Sequence, residues 1–152
     1  EANLDDARRF AAMLARIEGC AKPTIARLQG AALGGGVGLT CVCDIAVAAE
    51  DAGFAVSEAR FGIIPAVIGP YLTNAVGKRQ ARRLALTTER IGAAEALAMG
   101  LVHKVVPADG LDAAVDAVAG ECSMPPTMRY ILSLCLVVSF ARTRESTCRV
   151  ST

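Results

Sequence analysis

The sequence predicts an α/β fold, and three observations predict it. Short runs of β-branched and apolar residues alternate along the chain with segments whose apolar residues recur every three or four positions. Glycines and prolines punctuate nearly every change of period. The 152 residues are 53% hydrophobic and 20% charged, enough apolar material for one sizeable core and too little charge for a disordered chain.

Asn3 is placed to cap a first helix with Asp6 in its opening turn, and Leu4, Ala7, Phe10, Leu14 and Ile17 give it one apolar stripe to about Glu18. Lys22-Pro23 ends it, and Thr24 to Leu28 reads as a strand closed by Gly30. A glycine-rich turn follows. The apolar run from Gly36 to Cys43 is long enough for two helical turns, and Asp44 to Ala48 forms a second buried strand. Phe54 to Ile64 lacks a clear period and reads as a strand followed by a structured loop. Pro70 and Gly77 frame one short helix, Lys78 to Leu86 another, and Ala93 to Met99 a third with Gly100 as its C-terminal stop. Leu101 to Val106 alternates as a strand before Pro107, and Leu111 to Val118 is helical.

Near residue 120 the composition changes. Alanine, abundant before, survives only as Ala141, while Ser and Thr multiply. Residues 1–119 are therefore taken as the core and 120–152 as an atypical tail, poorly ordered or frame-shifted in origin. Within that tail, Tyr130 to Ala141 is apolar but too short for a membrane helix, which needs about 20 residues, and is a candidate source of aggregation.

Net charge is +1, which gives no global signal for nucleic acid or an anionic membrane. No apolar stretch free of Gly and Pro is long enough to span a bilayer, and no signal peptide is visible at Glu1 to Asp6, so a soluble, cytoplasmic setting is expected. The six cysteines show no paired CxxC spacing, which argues against zinc and a disulfide framework and for buried free thiols. No metal site is expected.

Two features could carry chemistry. The run Gly34-Gly35-Gly36-Val37-Gly38 stands where a strand feeds a helix, so backbone N–H groups are exposed at the positive end of a helix dipole, a site for an anion or a developing oxyanion. The competing account is close packing of helix on strand. Neither a P-loop nor a dinucleotide fingerprint is present, which removes phosphate chemistry. The second feature is Glu58, a carboxylate among Phe54, Val56, Phe61, Ile63 and Ile64. Desolvation there raises its pKa and suits it to proton transfer, whereas a surface pair with Arg60 is the structural alternative.

These features lie within a longer pattern. KPTIARLQGAALGGGVGLTCVCDIAVAAEDAGFAVSEARFGIIPAVIGPYL, followed by AVGKRQARRLALTTERIGAAEALAMGLVHKVVP, resembles the core of the enoyl-CoA hydratase/isomerase (crotonase) family from about Ala21 to Val118. The ordered set G-x-A-L-G-G-G, C-D, S-E-x-R-x-G-I-I-P and A-x-E-A-x-x-x-G-L-V is far more specific than any single piece. The wording SEARFGIIPAVIGPY is most similar to bacterial methylglutaconyl-CoA hydratase-like members, which would place the protein in leucine catabolism or related fatty acid metabolism.

The resemblance implies a spiral of ββα-type turns, an acyl-CoA thioester as substrate, and a homo-oligomer, either a trimer or a dimer of trimers. No separate cofactor is implied, since coenzyme A enters as part of the substrate. It assigns to Gly35 the N–H that supplies half of an oxyanion hole, a kind of donor worth about 3 kcal/mol in the transition state. To Glu58 it assigns the proton transfer, and to Gly34, Gly36, Gly38 and Pro65 contact with substrate. Many hydratases of the family carry a second glutamate where this chain has Gly38. A lone Glu58 would then take a proton from water and return it to the α carbon on the same face; a single-glutamate enoyl-CoA isomerase is the near alternative.

The resemblance also implies an N-terminal portion ahead of Glu1, roughly a third of a full-length chain, bearing the second oxyanion N–H and part of the CoA site. Beyond Val118 the family continues with trimer-building helices. The chain is accordingly expected to be a fragment or frame-shifted product of low activity. From a different class, an interaction or RNA-binding module is the rival, on the basic cluster Lys78, Arg79, Arg82 and Arg83. Arg60 is a candidate partner for a distal substrate carboxylate or, structurally, for Glu58 or Asp51. His103 reads as a strand-edge histidine and Asp44 as a cap at the helix–strand junction.

Overall fold

The computed structural model describes residues 2–122 and the backbone of 130–135. Its elements are α1 (Ala2–Glu18), β1 (Thr24–Gln29), β2 (Ala31–Leu33), α2 (Gly35–Val42), β3 (Ile45–Ala49), β4 (Gly53–Ala55), α3 (Gly69–Thr87), β5 (Ile91–Gly92), α4 (Ala93–Ala98), β6 (Lys104–Val106), α5 (Leu111–Glu121) and β7 (Tyr130–Cys135). Short 3-10 turns occupy Glu58–Phe61 and Ala108–Gly110. Two sheets result, a four-stranded parallel one in the order β6-β3-β1-β7 and a three-stranded one in the order β2-β4-β5.

Successive turns of the chain place one strand in each sheet. β1 pairs in parallel with β3 and β3 with β6, while β2 pairs in parallel with β4. The corners stack as well, with Gly53 N–H donating to Gly30 C=O at 2.8 Å and Glu50 N–H to Val106 C=O at 2.9 Å. This is the ββα spiral that the resemblance implied.

The larger sheet is covered on both faces, and its sequence shows why. Along β1, Ile25 points to the cluster formed with Leu111, Ala114 and Val115 of α5, while Ala26 and Leu28 point to the opposite core. Along β3, Val47 and Ala49 join α5, and Ala46 and Ala48 join the other side. A strand apolar at every position is what burial on both faces requires. The main core gathers Leu14 of α1, Val37 of α2, Phe54 of β4 and Leu72 and Leu84 of α3, each large side chain contributing about 2 kcal/mol on burial.

Several sequence expectations shift. The first helix starts at Ala2, so Asn3 lies inside it and is not its cap. Of its stripe Leu14 is fully buried, Phe10 and Ile17 are partly buried against the core, and Leu4 is exposed. The glycine-rich turn contains the short strand β2, which the glycines concealed. The two helices expected on either side of Gly77 run as α3 with a break at that residue, whose φ of 76° and ψ of 158° are non-helical and suit glycine. In the segment after residue 120, Tyr130–Cys135 forms β7 beside β1 in parallel register, from Thr24 opposite Tyr130 to Gln29 opposite Cys135. The remainder of the apolar segment to Ala141 lies outside the described residues.

Asp44 does not cap a helix; it fastens the start of β1. Its Oδ2 accepts from the Thr24 N–H at 2.7 Å and from the Thr24 hydroxyl at 2.8 Å, and its own N–H donates to Thr24 Oγ1 at 3.0 Å. Thr24 is buried, so removing the carboxylate leaves two donors without a partner. Asp44→Ala is expected to cost about 2 kcal/mol in urea unfolding, and Asp44→Asn less, because the amide oxygen still accepts one bond. Equal stability of wild type and Asp44→Ala would contradict this role.

Candidate active site

The glycine run does two separable jobs. Gly34 carries a φ of 50° and a ψ of −112°, a turn that swings the chain from β2 into α2, with its N–H donating to Ala55 C=O at 2.8 Å. The helical bonds begin with Val37 N–H donating to Gly34 C=O at 2.9 Å, so the Gly35 and Gly36 amides precede the first intrahelical donor and are left to face the helix start. Packing accounts for the other part. A Cβ on Gly35 would stand 3.0 Å from Phe10 Cζ, and one on Gly38 only 2.4 Å from Ile68 Cγ2. Gly36 is buried, and its carbonyl accepts from the Thr40 hydroxyl at 2.9 Å.

Glu58 opens the 3-10 turn that follows β4, and β4 lies beside β2, so the turn is carried to Gly34. A Cβ on Gly34 would lie 3.2 Å from Glu58 Oε1 and 3.3 Å from Ser57 Oγ. Glu58 Oε2 is buried with no hydrogen-bond partner among the described residues. Burial pushes the Glu58 carboxyl above its ordinary value, an effect only partly offset by the backbone amides of Glu58 and Ser57. The expected pair with Arg60 does not form. Arg60 turns to the end of α3, its Nε donating to Thr88 Oγ1 at 3.1 Å and its Nη2 to Thr88 C=O at 2.8 Å.

The structure thus brings Gly34, Gly35 and Glu58 to one place. Pro65 lies on the apolar loop after Glu58, its carbonyl accepting from Gly69 N–H at 2.8 Å near the start of α3. On the same loop Phe61, Ile63 and Ile64 are exposed. Two residues near the site escaped sequence reasoning. Ile68 fills the space beside Gly38, and Ser57 shares with Glu58 the flank of Gly34. Ser57 stands in the sequence as a polar neighbour of Glu58 in an apolar stretch, which gives it no role by itself; Ile68 carries no local signal, since its role depends on α3 crossing α2.

Elsewhere, a cleft of about 300 Å³ lies beyond the far end of α2, lined by Thr40, Cys41, Asp44, Asn74 and His103 among others. His103 Nδ1 accepts from Ala46 N–H at 3.0 Å and its own N–H donates to Ala46 C=O at 2.8 Å, which makes it an edge clasp between β3 and β6. Burial pushes the Cys41 thiol up to about 12 and the Cys43 thiol up to about 11, so both are poor nucleophiles. Cys43 is buried, and Cys20, Cys41 and Cys122 are partly buried. No group of three or more His, Cys, Asp or Glu side chains able to hold a metal occurs among the described residues, and none of their helices is long and apolar enough to cross a membrane. In the basic cluster Arg83 is committed to Glu89 at 3.2 Å and Glu95 at 2.6 Å, leaving Lys78, Arg79 and Arg82 exposed.

A two-sheet spiral that sets a carboxylate with one buried oxygen beside a glycine turn at a helix start is the class of arrangement found here. The particular family follows from comparison: residues 5–133 match the family model described as enoyl-CoA hydratase/isomerase, and the chain belongs to that family. It is 44% identical over 103 residues to the Mycobacterium bovis protein named probable enoyl-CoA hydratase echA8, covering 67% of this chain and 40% of that protein. It is 42% identical over 102 residues to the mitochondrial Delta(3,5)-Delta(2,4)-dienoyl-CoA isomerase of Dictyostelium discoideum, covering 66% and 34%. The solved enoyl-CoA hydratase of Shewanella pealeana superimposes with a TM-score of 0.74 at 47% identity, covering 79% of this chain and 44% of that one. The chain therefore spans less than half the length of each of these relatives.

Proposed function

We propose that the site acts on α,β-unsaturated acyl-CoA thioesters and adds water across the double bond. The observation that carries this reading is the Glu58 carboxyl, raised by burial, with one oxygen unpartnered and the other against the turn that presents the Gly35 amide. In the reaction Glu58 takes a proton from water as the water oxygen bonds to the β carbon. The electron pair of the double bond moves towards the thioester, and the charge that develops on its oxygen is met by the Gly35 N–H. Glu58 then returns the proton to the α carbon on the same face, completing a syn addition. Gly34 and Pro65 border the surface on which the acyl group lies, Gly38 lets Ile68 pack close behind it, and coenzyme A takes part only as the substrate's carrier.

The surroundings of Gly38 also favour a single-glutamate enoyl-CoA isomerase. The space beside Gly38 is filled by Ile68, so no second carboxylate stands there, and one carboxylate suffices to move a proton between two carbons of a 3-enoyl-CoA. A methylglutaconyl-type acyl group is the favoured substrate on the strength of the SEARFGIIPAVIGPY wording, and a trimeric or hexameric assembly on that of the family. Incubation with crotonyl-CoA, 3-methylglutaconyl-CoA and a 3-enoyl-CoA separates these readings. Hydration of the first two, with the glutaconyl thioester preferred, is the expected result. Double-bond migration without hydration would establish the isomerase, and turnover of none would reject both.

A further inference from the structure

Ser57 occupies the N-terminal flanking position of the 3-10 turn at Glu58, where a serine hydroxyl ordinarily folds back onto a backbone N–H. It does not do so here. Its backbone is in the αR region, φ −94° and ψ −1°, and its side chain makes no capping bond. No hydrogen bond from its hydroxyl to any described residue is present, yet Oγ lies beside Gly34 at 3.3 Å from the position of a Cβ there, matching the 3.2 Å of Glu58 Oε1. A hydroxyl and a carboxylate oxygen thus flank one point of the glycine turn. One helical turn on, the space beside Gly38 is closed by Ile68 and Leu14, both apolar and buried.

From this arrangement we propose that Ser57 is a substrate-positioning residue, its hydroxyl binding the oxygen that adds to the β carbon. The inference rests on the hydratase reading above. A water held by Glu58 alone has one strong acceptor and is free to rotate about it; a second hydrogen bond from Ser57 fixes the direction in which its lone pair points. In the product the same oxygen is the 3-hydroxyl group, so the contact with Ser57 persists there. The serine thereby distinguishes acyl groups with an oxygen at C3 from those without one. No bond is made or broken at Ser57, and its hydroxyl keeps its proton throughout.

The test needs binding only, so it does not depend on turnover. Isothermal titration of the protein with 3-hydroxybutyryl-CoA and with butyryl-CoA compares two ligands that differ by the one hydroxyl. Ser57→Ala is expected to weaken 3-hydroxybutyryl-CoA by about three- to tenfold, the span of one neutral hydrogen bond, and to leave butyryl-CoA unchanged. Ser57→Thr, which keeps the hydroxyl, is expected to retain the preference. Equal weakening of both ligands, or of neither, would overturn the role of Ser57 while leaving the acyl-CoA site standing. Failure of the wild-type protein to bind either thioester would reject the acyl-CoA reading itself, and this inference with it.

Discussion

Replacing Glu58 with glutamine is expected to lower turnover of an enoyl-CoA substrate by about 10²- to 10⁴-fold, the usual contribution of one positioned acid–base group. Glutamine keeps the shape of the side chain and its place beside Gly34, so the loss isolates the proton transfer. The wild-type pH profile should carry the same signature. Burial holds the Glu58 carboxyl above its ordinary range, and the ionised form must accept the proton from water. Activity therefore falls with decreasing pH at an inflection above that of an exposed glutamate.

Stability moves the other way. Between the ordinary pKa and the raised one, the folded protein holds a proton that the unfolded chain has released, so stability falls as pH rises through that window. The full cost is present above the raised value and absent in acid below the ordinary carboxylate range. Glu58→Gln removes a charge that is half-buried with one oxygen unpartnered, so the variant should melt higher than wild type at neutral pH and at the same temperature in acid. Turnover within tenfold of wild type, or a gain seen only in acid, would refute the assignment.

Gly38→Ala is expected to destabilise the protein by about 2 kcal/mol, although alanine ordinarily favours a helix interior over glycine by about 1 kcal/mol. The added methyl would stand 2.4 Å from Ile68 Cγ2 and 3.1 Å from Ile68 Cβ, with Leu14 Cδ1 behind at 3.6 Å. Ile68 and Leu14 are 2% and 0% exposed, so neither can swing into solvent. Trimming the obstacle should relieve the clash. Ile68→Ala alone costs about 2–5 kcal/mol through the cavity it leaves, and the new methyl at residue 38 enters that cavity. The double variant should therefore lose less than the two single losses added, by about 1–2 kcal/mol in urea unfolding. Strict additivity would mean that the two residues do not share this space.

Much of the scaffold was legible in the chain because its signals are local. The strand at Ile45 is apolar at every position since both its faces are covered, and Gly77 marks the break in α3 and Gly100 the end of α4 with backbone conformations that glycine favours. β2 was not legible, for three residues beside a run of glycines carry no period. The partners of Asp44 and Arg60 were not legible either. Asp44 reaches back 20 residues to Thr24 and Arg60 forward 28 to Thr88, and nothing in a sequence states which distant donor a side chain will meet.

The site divides along the same line. By itself the sequence determined the family, the glycine turn and Glu58 as the candidate proton carrier, because each is written in contiguous residues whose chemistry does not depend on what lies across the core. Only the tertiary structure decided that Glu58 ignores Arg60 and faces Gly34, that Gly38 is required by Ile68, and that Ser57 presents a free hydroxyl to the same turn. The physical reason is packing. Which atoms fill the space beside a glycine depends on how α2, α3 and the turn after β4 are stacked by the two sheets, and that stacking is a property of the whole fold rather than of any segment.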